Sequence, residues 1–235
     1  MRLDKFLADA NLGTRKHVKT LIRSRHVNIN NSCVTLSDYN LNPELDKVEV
    51  DGKLIKYRKE IFILLNKPKG YICSNIDELY PSVLNLIDQQ YAKRVKIVGR
   101  LDVDTTGVLL LTDQGKINNS LVHPRLKIEK EYEAVLNHPL PKNIIPQLTE
   151  EIDIGKDEKV KPRKVYLIND NTCRIIIAEG KYHEVKRIFR HFDLEVMELR
   201  RIRLAFLNVD DLQIGESRLL SDVEIEKIKA ITGND

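Results

Sequence analysis

VYLINDNTCRIIIA, residues 165–178, reads as two strands around a tight turn. Residues 165–168 and 173–178 are rich in β-branched side chains, and Asn169-Asp170-Asn171 tolerates the backbone that a hairpin bend needs. Working upstream, 132–136 is a further strand. The apolar runs 108–111 and 61–65 have buried-strand length, and the second stops at a turn, 66–70 (NKPKG). Short helices are predicted over 83–87 and after Gly115, and a proline-interrupted one over 141–151. Downstream, Gly180 opens a helix with Val185, Ile188, Phe189 and Phe192 on one face. Residues 195–209 are strand-like, and Ser221 with Glu224 forms a capping box for a last helix. Strands outnumber helices and run mostly hairpin to hairpin. The expectation is an α+β fold with a mixed, mainly antiparallel β-sheet, not a doubly wound one.

The first part of the chain is different. Leu3, Phe6, Leu7 and Ala10 lie at helical spacing, Gly13 ends that helix, and Thr14 caps a second. Val18, Leu21 and Ile22 form its buried stripe, and Arg15, Lys16, Lys19 and Arg23 point outward. A β-prone run follows (HVNINNSCVTL, 26–36) with a turn at Asn30-Asn31, then strand signals at 34–35 and 48–50. Residues 51–60, charged and without periodicity, read as a linker or edge strand. The predicted domains are a small α/β domain at 1–58 and a larger one at 59–235.

At 235 residues, 31% charged and 42% apolar, the chain is long enough to bury a core without disulfide or metal staples. No apolar run approaches the roughly 18 residues of a spanning helix. The opening MRLDKFLADANLG carries charges where a signal peptide is apolar. Cys33, Cys73 and Cys173 are odd in number and dispersed, which fits buried thiols in a reducing cytosol better than a disulfide framework or a zinc site. The net charge of +4 hides an asymmetry. Residues 1–30 hold seven Lys/Arg against two acids, 180–203 hold seven against four, and 208–235 hold three against seven. Two basic patches with acid kept elsewhere suggest an anionic polymer gripped at two places.

No GxGxxG, P-loop, HExxH, CxxC or GxSxG occurs, so no nucleotide cofactor or metal is predicted from spacing. What remains is GRLDVDTTG, residues 99–107, between an incoming and an outgoing β segment. Loops at strand ends present reactive groups on a rigid frame, and an aspartate held ionised by a cation acts as nucleophile or base. Asp-rich loops also simply cap turns.

Residues 1–50, through RLDKFLA, the Gly13-Thr14-Arg15 junction and LIRSRHVNIN, resemble an S4 RNA-binding domain. The resemblance implies that Arg15, Lys16, Lys19, Arg23 and Arg25 contact RNA backbone. FILLNKPKGYICS, VGRLDVDTTGVLLLTDQG, KEYEAV and EGKYHEVKRIF resemble, in order and spacing, the pseudouridine synthases, and most closely the branch acting on small-subunit ribosomal RNA. The resemblance implies Asp102 as the essential aspartate, Tyr132 as the ring packing on the target base, and Lys186 as the cation holding the aspartate's charge, with Arg187 as fallback. Leu204 is the choice for an apolar pocket residue, and NKPKG shapes the site. Asp104 is assigned to loop shape. Arg100 either binds phosphate or braces the loop. His183, Arg187 and Arg190, with Arg200, Arg201 and Arg203, would hold RNA near the pocket. The implied activity is isomerisation of a uridine in 16S rRNA, uridine 516, by a monomer without cofactor, acting on RNA within a small-subunit assembly intermediate. The alternatives are the same chemistry on 23S rRNA, or an S4-type RNA-binding or assembly factor without turnover.

Overall fold

Helix formation at the start of the chain follows from its apolar spacing. In the computed structural model, which describes residues 1–55 and 57–233, Leu3, Phe6 and Leu7 of α1 (Leu3–Asp9) are buried together with Val18 and Ile22 of α2 (Arg15–Arg23). The Thr14 hydroxyl accepts the His17 N–H at 3.3 Å, a cap worth about 1 kcal/mol. Chain reversal after α1 begins earlier than expected, at Asn11 (φ 62°), with Gly13 beyond it. The helices share a core with a four-stranded sheet. It comprises β1 (Val27–Ile29), β2 (Ser32–Cys33), β3 (Val48–Val50) and β4 (Lys53–Leu54), in the order β2-β1-β3-β4. Asn30 and Asn31 make the predicted turn, both at positive φ. The second strand sits at 32–33, just ahead of the expected 34–35.

Backbone contacts group Met1–Ile61 with Asp88–Arg94, which contains α3 (Gln89–Ala92), and group Phe62–Ile87 with Val95–Asp235. The expected division at 58/59 falls just before this one, and it assigned 88–94 to the larger unit.

In the larger unit, β5 (Phe62–Lys67) is buried along its whole length. It runs through Asn66 and Lys67, which the sequence reading assigned to a turn; the turn begins at Pro68. β6 (Lys96–Val98) and β5 both pair antiparallel with β7 (Thr106–Thr112). After α4 (Gly115–Val122) come β8 (Lys130–Leu136), the small β9 (Ile152–Asp153) and β10 (Lys159–Val160) ribbon, and the predicted hairpin β11 (Lys164–Leu167) and β12 (Thr172–Ile177). The 141–151 stretch forms two 3₁₀ turns in place of a helix, because prolines interrupt the bonding ladder. α5 (Glu184–Arg190) starts at Glu184 and not at Gly180, with His183 left-handed before it. β13 (Val196–Leu204), β14 (Ser217–Leu219) and the boxed α6 (Asp222–Thr232) complete the chain.

The sheet order is β11-β12-β8-β13-β7-β5-β14, with β6 beside β7. Among the described pairs, β13 with β7 is parallel and the rest are antiparallel, so the sheet is mixed and mainly antiparallel. Phe62, Leu64, Val108, Leu110 and Leu204 cluster with Ile117 and Leu121 of α4 and Ile225 and Ile228 of α6. Each such buried side chain contributes roughly 1.5–3 kcal/mol. No described helix is long and apolar enough to cross a membrane.

Candidate active site

The parallel join between β7 and β13 needs Gly107. Its φ is +101°, and a Cβ there would lie 2.1 Å from the Arg201 carbonyl oxygen. This close approach sets the 99–106 loop beside β13. The loop is then tied down from beneath. Lys67 is fully buried, and its Nζ donates to the carbonyls of Pro68 (3.1 Å), Asp102 (3.0 Å) and Thr105 (2.9 Å). Burial pushes its pKa below the ordinary lysine value. The Gly70 N–H donates to the Val103 carbonyl at 2.8 Å, and the Leu101 N–H reaches the Cys73 sulfur at 3.4 Å. NKPKG therefore shapes the site by holding the backbone at Asp102 and just after it, while Cys73 meets the residue before it.

With its main chain fixed, Asp102 presents a carboxylate, 32% exposed, to two bases from the start of α5. His183 Nε2 lies 3.3 Å from Oδ1, and Lys186 Nζ lies 3.3 Å from Oδ2. Lys186 holds Asp104 closer, at 2.8 and 2.9 Å to its two oxygens. Burial alone would raise the Asp104 carboxyl; the hydrogen bond and charge of Lys186 outweigh it, and the net shift is downward. Burial likewise opposes the Lys186 cation, and the two carboxylates reverse this, so its pKa is raised. Lys186 thus stays charged between two aspartates, and Asp104 contributes to the ion pairing as well as to loop shape.

Asp102, Arg100, Lys186, His183 and Tyr132 line one cleft of about 120 Å³. Tyr132 comes from β8 and is 7% exposed. Opposite it in register is Arg201 of β13. Lys130, two residues before Tyr132 and so on the same side of the strand, donates to the carbonyls of Ile128 (3.1 Å) and Glu179 (2.9 Å). Burial, followed by the nearby charge of Arg201, lowers its pKa to about 8. Glu184 is buried at the same wall, where its carboxylate accepts the Lys181 N–H at 2.7 Å and burial raises its pKa.

Four sequence assignments need correction. Leu204 lies in the core among Phe62, Val108 and Leu207, and the apolar residue lining the cleft from this strand is Leu199. Arg187 is no substitute for Lys186. Its guanidinium donates to the carbonyls of Ile154, Gly155 and Tyr182 and pairs with Glu158 at 2.5 Å, which clips α5 to the β9–β10 ribbon. Arg203 is bound by Glu129 (3.1 Å) and Glu131 (2.9 Å). Arg201 is 1% exposed and belongs to the interior of the cleft, where it is not open to an RNA backbone at the surface. Arg190 and Arg200 are exposed, as is Arg100. Tyr182 is also exposed, stacked on His183 at 3.8 Å between ring centres, and the sequence reading passed over it.

In the smaller unit, Arg15, Lys16, Arg23 and Arg25 are exposed, while Lys19 is half-buried and lies 3.9 Å from Asp4.

Comparison with known proteins extends this picture. Residues 61–191 match the RNA pseudouridylate synthase family, and residues 1–47 match the S4 domain. The chain is 36% identical to ribosomal small subunit pseudouridine synthase A of Yersinia pestis, covering 98% of this chain and 99% of the relative. It is also 36% identical to an RNA pseudouridine synthase of Aquifex aeolicus, covering 98% and 97% respectively. A crystal structure of a pseudouridylate synthase aligns over 97% of this chain and 99% of its own, with 35% identity and a TM-score of 0.69.

Proposed function

This chain belongs to the RNA pseudouridylate synthase family, and on that premise we propose that it isomerises one uridine of small-subunit ribosomal RNA, uridine 516 of 16S rRNA, with Asp102 as the reacting carboxylate. The observation that carries the site assignment is the convergence, in one cleft, of a carboxylate, a cation paired with it, and a flat ring. The small-subunit target is supported by the likeness to the ribosomal small subunit pseudouridine synthase A of Yersinia pestis.

The reaction breaks the N1–C1′ bond of uridine, turns the base and joins C5 to C1′; a proton leaves C5 and N1 gains one. Electrons are neither gained nor lost overall, so no redox partner enters the balance. Asp102 acts on the nucleoside as nucleophile or base. The Lys186 ammonium, 3.3 Å away, sets a positive charge beside this carboxylate. Tyr132 offers a ring face on which the uracil stacks while detached. A stacked base is out of reach, so the target nucleotide must be flipped out or already unpaired, at a cost of a few kcal/mol. The exposed cations of α2, with Arg100 and Arg190, supply backbone contacts that offset this. Tyr182 beside the cleft offers a platform for a neighbouring base. The reading places the protein in the cytoplasm with its RNA, within a small-subunit assembly intermediate, and as a monomer.

Tritium release from small-subunit RNA carrying 5-tritiated uridine tests the chemistry, and mapping pseudouridine in cells lacking the protein tests the position. Release by the wild type and none by Asp102→Asn is the expected result. Equal release by both would remove Asp102 from the chemistry. Loss of a 23S modification in the deletion strain would move the target to the other subunit.

A further inference from the structure

Among the described residues, two buried side-chain atoms have no hydrogen-bond partner: Nη2 of Arg201 and Oγ1 of Thr105. Both residues line the cleft that holds Asp102 and Tyr132. Buried polar atoms in folded proteins are nearly always paired, so two orphans at one site call for an explanation. Each is also held firmly. Nε of Arg201 donates to the Val108 carbonyl at 2.7 Å, which fixes the guanidinium plane, and the Thr105 N–H donates to the Asp102 carbonyl at 3.1 Å within the loop.

Arg201 is moreover a buried cation whose own charge adds, after burial, to the lowering of Lys130, and it also contributes to the lowering of Lys67. Glu184 shares the cleft wall, but burial raises its pKa, which weakens it as a counter-charge. An apolar side chain of similar size would be cheaper to bury here. A fixed, water-excluded donor of this kind is suited to charge that appears only during a reaction.

The proposed chemistry produces such charge. When N1–C1′ breaks, the bonding pair stays on the uracil ring and spreads over N1 and the carbonyl oxygens. We infer that Arg201 is a catalytic residue whose Nη2 donates to a carbonyl oxygen of the detached uracil, with the Thr105 hydroxyl as a second donor, and that together they stabilise the ring anion. The charge is discharged when C5 rejoins C1′, the C5 proton departs and N1 takes one up.

This rests on the reading of the cleft as the uridine site, and the test separates the two. The full chain is assayed in single turnover on one RNA fragment bearing either uridine or 5-fluorouridine at the target. Fluorine stabilises the ring anion unaided, and disappearance of the original nucleoside reports bond cleavage in both. Arg201→Gln is expected to slow the uridine RNA about 100-fold and the fluorinated RNA by less than about tenfold, with RNA affinity unchanged. Thr105→Val, a shape-conserving change, is expected to lose about tenfold on uridine and little on fluorouridine, and it decides the matter if Arg201→Gln does not fold. Equal losses on the two RNAs, or no loss, would overturn the inference, since a purely structural role would not distinguish them. A wild type that turns over neither RNA would bring down the reading of the cleft, and this inference with it.

Discussion

Two basic stretches that look alike on paper differ in the folded chain. Residues 1–30 and 180–203 each carry seven Lys/Arg. On α2 and just after it, Arg15, Lys16, Arg23 and Arg25 are exposed, and only Lys19 approaches a carboxylate. In the second stretch most of the cations are committed. Lys186 is held between Asp102 and Asp104, Arg187 clips the β9–β10 ribbon, and Arg203 spans two glutamates. Arg201 is interior, and Lys181 bonds the Lys159 carbonyl and Glu179. Exposed cations suit a phosphate backbone, whose affinity comes from released counterions. Committed cations position groups and set charge inside a site. On the proposed function, the first patch serves grip, and the second serves mainly architecture and chemistry.

The sharpest test of this contrast is on the chemical side. Asp102→Asn should cut single-turnover rate by more than about 1,000-fold with RNA affinity nearly unchanged. Lys186→Met should cost about 100-fold in rate, with Lys186→Arg retaining part of it, because the carboxylate loses its counter-charge. A large affinity loss in either variant, measured by filter binding, would mean that the second patch also serves grip. Next in size is Arg187→Met, expected to lower unfolding free energy by about 2–3 kcal/mol in chemical denaturation, since several partners lose their donor. An unchanged denaturation midpoint would return Arg187 to the RNA-binding set.

Substituting Arg15, Lys16 and Arg23 together by Gln should weaken RNA binding about tenfold or more at low salt. It should also flatten the slope of log affinity against log salt by about 2 to 3. Rate at saturating RNA should not change. A rate loss without a change of slope would show that α2 is not the grip. The smallest effect belongs to Asp104→Asn. The Asp104 carboxyl is held below its ordinary value of 3.8 against the opposing effect of burial, so its stabilisation is present above that pH and fades as pH falls through the lowered folded value. With the side chain 49% exposed, the difference from wild type should stay under about 1 kcal/mol at neutral pH and vanish in acid, by thermal unfolding across pH.

Much of this was legible in one dimension. Period-three-and-four spacing located α1 and α2, the Asn-rich turns located two hairpins, and Ser221 with Glu224 located the cap of α6. Asp102 and Tyr132 stood out with the help of a family resemblance. Other features carried weaker signals. Lys130 and Tyr132, like Leu199 and Arg201, are two apart on a strand and so share a face, which alternation alone could have suggested. The burial of Lys67 had no local signature, because a lysine beside a Pro-Lys-Gly turn ordinarily faces water. Leu204 was the wrong choice because Leu199 and Leu204 are both buried leucines of β13, and which of them meets the cleft depends on what packs against each.

What the linear chain determined by itself is what depends on near neighbours: apolar periodicity, caps, turns, the gross partition of charge, and the presence of an aspartate loop between strands. Only the tertiary structure decided which charges are free and which are committed. That depends on carbonyls and carboxylates brought from far along the chain. Lys67 meets the backbone of Thr105, Lys186 meets Asp104, and Arg187 meets Ile154 and Gly155. A cation's role follows from the acceptors around it and its distance from water, and neither is written in its own neighbourhood of sequence.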